Sequence, residues 1–233
     1  MGGSTMLDDE MLVRRASADD IDVMLEIKGA LRRSPVNVGD PGGGFLLGSS
    51  ADCYQLQVAC ETAWVLEVDR EVIGFATGFT DAVLRASDLW REQEKIVWVD
   101  GFSPTAIVQE PVAYFDQLAV LPGAGRRFFG AALALRLLTA LLDDHRHVLT
   151  TTVSAPFANV AAHAFIRRVG GEVVGTLDEV YPEVGPITSL VHYFSAEACA
   201  AGIDAHRRRH WLAPILALGL SQQQEESSSA SMG

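Results

Sequence analysis

The chain has 233 residues, 48% of them hydrophobic and 21% charged. That is enough for one domain with a sizeable core and attachments, which excludes a disordered, collagenous or low-complexity protein. A net charge of −12 argues against nucleic acid as a partner and suits a cationic one. No stretch approaches the roughly 18 apolar residues of a membrane span, and MGGSTMLDDE lacks the basic and apolar regions of a secretory signal. Cys53, Cys60 and Cys199 form no CxxC pair; they read as reduced thiols in the core of a cytoplasmic protein. The His and Cys spacing supports no metal site.

In chain order, MLVRRA (11–16) reads as a strand. Ser17 then caps a helix with acids in its first turn, and Ile21, Met24, Leu25, Ile27 and Leu31 recur at helical spacing. Residues 34–48 are rich in Pro and Gly and read as a loop. A short helix over 50–60 would place Cys53 and Cys60 on one core face. Residues 62–79 form a hairpin around Asp69-Arg70-Glu71. A helix is expected over 81–95, and 96–110 fits no single pattern.

VAYFDQLAV (112–120) is the clearest strand. It runs into a loop with two glycines and two arginines, then a long helix over 127–144 with a polar stripe of Arg136, Thr139 and Asp143. A strand over 148–154, a helix over 156–169, two closing strands at 172–181 and 187–194, and a helical stretch over 196–218 complete the order. Residues 1–10 read as a flexible N-terminus and 221–233 as a disordered tail. Helices alternate with strands in the second half, so those strands are expected to be partly parallel.

The strand–turn–helix at 112–144 is the most informative feature. Helix starts offer unpaired N–H groups and the positive dipole end. With Gly123, Gly125, Gly130, Arg126 and Arg127, this makes an anion site suited to a pyrophosphate. Neither GxxxxGK[ST] nor GxGxxG is present.

LAVLPGAGRRFFGAALALRLL resembles the acyl-CoA-binding segment of the GNAT superfamily of N-acetyltransferases. NVAAHAFIRRVG (159–170) resembles the family's N-x-x-A helix, and the resemblance covers 11–195. It implies an α/β domain with a mixed, partly splayed central sheet flanked by helices. To this are added an insertion at 81–110 and a C-terminal helical extension at 196–220. It also implies transfer of an acyl group, acetyl above all, from acetyl-CoA or another acyl-CoA to a small amine, by direct attack. The implied coenzyme contacts are Leu118, Ala119, Val120, Gly125, Arg126, Arg127, Phe128, Phe129, Gly130, Ala131 and Asn159. Asn159 reads equally as a simple helix-start residue.

The chain departs from the family pattern at three places. One loop register puts Phe128 where a glycine is usual, whereas a register two residues on gives Arg127-x-x-Gly130-x-Ala132. Ile166 stands where many members carry a tyrosine that protonates the departing thiolate, and Gly171 where a Phe is usual.

Asp116 is the candidate base for the attacking amine, with Tyr114 on its face by the two-residue strand period. An N–H near Val120 is the candidate to stabilise the thioester oxygen. For the missing acid the candidates are Tyr181, His163, His192 and Tyr193, with Tyr181 also placed to line an acceptor pocket. The 81–110 insertion reads as a solvated excursion, with an acceptor lid or a homodimer contact as alternatives. Residues 206–220 read as packing against the body rather than touching a membrane. Two rival functions stand beside acyl transfer: other chemistry on the same fold, and a non-catalytic ligand-binding module.

Overall fold

The computed structural model describes residues 11–31, 48–123, 129–156, 158–181 and 185–207. Its strands are β1 (Met11–Arg15), β2 (Ala63–Val68), β3 (Glu71–Phe79), β4 (Val97–Trp98), β5 (Val112–Val120), β6 (His147–Ala155), β7 (Glu172–Tyr181) and β8 (Gly185–Ser195). Its helices are α1 (Ile21–Leu31), α2 (Ala51–Ala59), α3 (Asp81–Ala86), α4 (Asp88–Arg91), α5 (Thr105–Gln109), α6 (Phe129–Asp144), α7 (Val160–Arg168) and α8 (Ala196–Arg207). The strands make one sheet in the order β1-β2-β3-β5-β6-β8-β7-β4. Every pairing is antiparallel except β5 with β6.

Helix α6 buries Leu133, Leu137, Leu138 and Leu141 against one face of the sheet, and Ile166 and Val169 of α7 and Cys199 and Ile203 of α8 join the same cluster. The other face carries α1 and α2 through Ile21, Met24, Ile27 and Tyr54. In α1, Ile21, Met24 and Ile27 are positions that the helical spacing of the sequence marks as apolar.

The entry into α1 is held by an ion pair. Arg14 donates to both carboxylate oxygens of Asp20 at 2.8 and 2.9 Å, and the Ser17 N–H donates to Asp20 Oδ2 at 2.7 Å. Burial works against the Asp20 charge, but Arg14 and Ser17 hold its pKa down at about 2. A carboxyl depressed on folding stabilises above its unfolded value and loses that contribution as pH falls through the folded one. Asp20→Asn is therefore expected to cost about 1–2 kcal/mol at neutral pH, discounted because Arg14 is part exposed. Below pH 2 the two proteins should unfold alike, which urea titrations at pH 7 and pH 2 check.

Several expectations need correction. The hairpin turn is the pair Asp69-Arg70, both at positive φ (51° and 68°), so Glu71 already belongs to β3. This is the primed geometry whose twist suits a two-residue hairpin. The helix expected over 81–95 breaks at Ser87, whose backbone is extended and whose hydroxyl accepts the Trp90 N–H to start α4. Arg136 is buried rather than part of a solvated stripe, with its guanidinium 4.2 Å from the Trp64 ring centroid. Cys53 and Cys60 are only half-buried; the core face of α2 carries Tyr54 and Gln57 instead.

The insertion is no solvated excursion either. Its Leu84, Ile107, Trp98 and Phe102 close a second apolar cluster with Val174, Leu177 and Val191, and β4 extends the sheet beside β7. Arg85 ties it down by donating to the carbonyls of Ile107, Val108 and Glu110. Helix α7 starts at Val160, four residues later than expected, because β6 runs on to Ala155 and Asn159 supplies the cap. Residues 1–10, most of the 34–48 loop and residues 208–233 lie outside the described residues.

Candidate functional site

Strands β5 and β6 pair only at Val112/His147, Ala113/Val148 and Tyr114/Leu149. Beyond that the sheet forks: residues 115–120 of β5 stay with β3, and residues 150–155 of β6 stay with β8. The Leu121 N–H donates to the Ile73 carbonyl at 2.8 Å. The two-residue alternation of a strand then turns the amides of Ala119 and Gln117 toward β3 and those of Leu118 and Val120 toward the fork. Leu118 and Val120 thus present a backbone edge with which no described residue pairs. Ala119 turns its amide toward β3, and its side chain is buried against α1 and α2.

Phe129, Gly130 and Ala131 lie in the first turn of α6, close to that edge. A methyl on Gly130 would meet Val120 Cγ2 at 3.6 Å. Gly125, Arg126, Arg127 and Phe128, which carry the pyrophosphate expectation, lie outside the described residues.

The register of β5 against β3 slips by one residue, from Thr77/Gln117 to Gly78/Phe115. Asp116 is the extra residue. Such a bulge re-aims a side chain, and here it puts Asp116 beside Gln117 on the α2 face. Asp116 Oδ2 accepts from Gln57 Nε2 at 2.9 Å and from Ser49 Oγ at 3.1 Å. The Tyr54 hydroxyl donates to Gln117 Oε1 at 2.7 Å, and Gln117 Nε2 donates to Ser49 Oγ at 3.1 Å. Lys28 steadies the segment by donating to the Ser49 carbonyl at 2.6 Å. Burial raises the Asp116 pKa above the usual carboxylate value, opposed by the Gln57 and Ser49 bonds and the Lys28 charge.

Tyr114 spans the fork on the same face: its hydroxyl lies 2.7 Å from Thr151 Oγ1, and burial raises its pKa. Across β6 and β8 stands Glu179, which accepts from the Tyr181 hydroxyl at 3.2 Å and from Ser189 Oγ at 3.3 Å. Burial raises the pKa of both Glu179 and Tyr181, and Asp116 adds to the Tyr181 shift. Asp116, Tyr114 and Tyr181 are therefore brought to one face.

On the opposite face, His192 of β8 lies against His163 of α7, ring centroids 5.6 Å apart. Thr152 Oγ1 is 2.7 Å from His192 Nε2. Tyr193 is drawn away, bonded to His147 Nδ1 at 2.8 Å. Asn159 Oδ1 accepts the Ala162 N–H at 3.1 Å, the helix-start role. Ile166 is buried in the α6 cluster. A side chain on Gly171 would meet the Phe194 ring at 2.5 Å, so Phe194 fills the space that a Phe at 171 would take.

Sequence reasoning missed Ser49, Gln57, Thr151, Glu179 and Ser189. A polar Gln57 one turn from Tyr54 on the core face of α2 was the one signal available.

No family model matches the chain, and no curated protein matches it by sequence. Solved structures do match by fold. One is a ribosomal-protein-alanine N-acetyltransferase from Brucella melitensis: TM-score 0.53, 16% identity, covering 79% of this chain and 99% of that one. The fold is that of the GNAT N-acetyltransferases. A second match is an agmatine N-acetyltransferase, TM-score 0.53 and 16% identity, covering 80% of this chain and all (100%) of that one. A third, an N-acetyltransferase from Staphylococcus aureus Mu50, has TM-score 0.51 and 15% identity, covering 80% and 98%. In this GNAT fold the mixed sheet, its fork and its flanking helices agree with the sequence expectation. Among the described residues, no group of three or more His, Cys, Asp or Glu side chains is placed to hold a metal ion, and no helix is long and apolar enough to cross a membrane.

Proposed function

We propose that the protein transfers an acyl group, acetyl foremost, from acyl-CoA to the primary amine of a small cationic acceptor. The observation that carries this is the fork: a β5 edge at Leu118 and Val120, unpaired among the described residues, with a bulged, part-buried carboxylate, Asp116, beside it. The residues present fit the coenzyme. Two backbone N–H groups of that edge suit its amide-rich arm, and the first turn of α6, with Arg126 and Arg127 just before it, suits its phosphates. When bound, the coenzyme supplies an activated thioester.

Asp116 removes the proton from the incoming ammonium at its carboxylate, leaving the amine lone pair free to attack. The raised pKa keeps this carboxylate closer to the working range of a base than an exposed Asp. The Val120 N–H stabilises the oxygen on which negative charge develops. Tyr114 and Thr151 brace the fork. Glu179, held by the hydroxyls of Tyr181 and Ser189, gives the acceptor side a second negative charge, which favours a cation.

The experiment is a calorimetric titration with acetyl-CoA and with CoA, repeated on Arg127→Ala, followed by thiol release with a panel of amines. Micromolar binding that weakens in the variant, and release that depends on a cationic amine, are expected. Absence of binding by either ligand overturns acyl transfer and leaves the rival enzyme or the binding module. Glu179→Gln is expected to raise the acceptor KM about tenfold, the worth of one charge-assisted contact. Its kcat and its acetyl-CoA KM should stay within about twofold, which steady-state kinetics with a cationic and a neutral amine would show.

A further inference from the structure

The face opposite Asp116 holds two imidazoles whose hydrogen bonding is incomplete. His192 is only 2% exposed, yet its Nδ1 has no partner among the described residues; His163 Nε2 is buried and equally without one among them. Buried polar atoms in native proteins are nearly always satisfied, so two adjacent orphans mark a place where a water or a ligand would bond. Both rings stay neutral at physiological pH: burial lowers the pKa of each, with His163 adding to the effect at His192, which falls to about 4. A neutral imidazole keeps one N–H to donate. Thr152 Oγ1 lies 2.7 Å from His192 Nε2; the tautomer in which that hydroxyl donates carries the ring proton on Nδ1, the orphaned atom.

The strand register gives the depth. His192 pairs with Thr150, one residue beyond the last β5–β6 pair, Tyr114/Leu149. Asp116 lies two residues beyond that pair on the other strand. The carboxylate and the imidazoles thus stand level, on opposite faces of the sheet, with the fork between them. A thioester bound in the fork would lie between the two faces, with Asp116 on one side and the imidazoles on the other. Ile166 is buried in the core and offers the thioester sulfur nothing.

We propose that His163 Nε2–H and His192 Nδ1–H form a hole for the leaving thiolate, replacing the acid that Ile166 does not provide. This rests on the acyl-transfer reading. As the amine nitrogen bonds to the carbonyl carbon, the C–S bond breaks and its electron pair stays on sulfur. Two neutral N–H groups stabilise that charge. Asp116 passes the ammonium proton to solvent and then takes the second proton that the nitrogen sheds on forming the amide, and the thiolate is protonated by solvent as the product leaves. His163 touches the sulfur and is a catalytic residue; Thr152 fixes the tautomer of His192 and is a positioning residue.

The test compares CoA with desulfo-CoA, which lacks the sulfur, by calorimetry on the full chain from pH 7 to 10. Taking the affinity ratio cancels titration of the protein. A hole for thiolate makes the ratio rise about tenfold as the CoA thiol ionises, the worth of a hydrogen bond to a charged group. The ratio should stay flat in His163→Ala. Nitrogen NMR of the six histidines should show the proton of His192 on Nδ1, moving to a mixture of tautomers in Thr152→Val. A flat ratio in the unmodified protein, or the proton on His192 Nε2, overturns the thiolate hole while leaving acyl transfer standing. Failure of both ligands to bind overturns the two together.

Discussion

Asp116→Asn is expected to lower kcat by about 10²–10⁴-fold, the range for loss of a general base, with the affinity for acetyl-CoA unchanged. The loss should not come from misfolding. Burial raises the Asp116 pKa in the folded state, so the unfolded chain ionises this group first. Its charge therefore favours unfolding once the pH exceeds the ordinary carboxylate value, and increasingly so up to the raised one. Removing the charge leaves the melting temperature at pH 8 unchanged or higher. The same shift sets the pH profile. Only the ionised carboxylate takes a proton, so kcat/KM of the unmodified enzyme should climb with pH through the raised value and then level off. In the variant that limb should vanish. A variant with the parent kcat, or one that keeps the limb, would remove Asp116 from the chemistry.

The strands other than β4, and helix α6, were legible because the clearest of their patterns are long: nine residues in β5, sixteen in α6. The resemblance of 159–170 to a known helix pointed to the right element, which Asn159 opens by accepting the Ala162 N–H. What makes Asp116 special was not legible. Period-two reasoning placed Asp116 and Tyr114 on one face, which holds, but the bulge puts Gln117 there as well. A one-residue slip leaves no mark in composition; it appears only against β3. The insertion was misread because Leu84, Trp98 and Phe102 lie far apart in sequence and look like scattered apolar residues. Their common cluster exists only once β4 has found β7. His192 read as one of four candidates for an acid. Its distinguishing property, a buried nitrogen with no partner among the described residues, is a property of packing alone.

Gly170→Ala is expected to destabilise the protein by about 3 kcal/mol. Two effects add. Gly170 sits at φ +85°, where a side chain costs about 1–2 kcal/mol. A methyl there would also lie 2.2 Å from the Ala198 carbonyl oxygen, and overpacking of this kind costs about 1–3 kcal/mol. The obstacle is backbone, so no rotamer change relieves it. From the other side, a methyl on Gly202 would meet the Val169 carbonyl carbon at 2.7 Å. The end of α7 and the helix α8 therefore touch main chain to main chain, and neither accepts a side chain between them. At this chain length 3 kcal/mol lowers Tm by about 6–12 °C. Gly29 is the matched control: it lies in α1 with nothing within 4 Å of an added methyl. Gly29→Ala should be neutral or stabilising by up to about 1 kcal/mol. If α8 is held only by this contact and its Cys199 and Ile203, amide exchange in Gly170→Ala should quicken over 196–207 first, while β5 and α6 keep their protection. Equal melting of the two variants would mean that α8 does not pack this closely on the body.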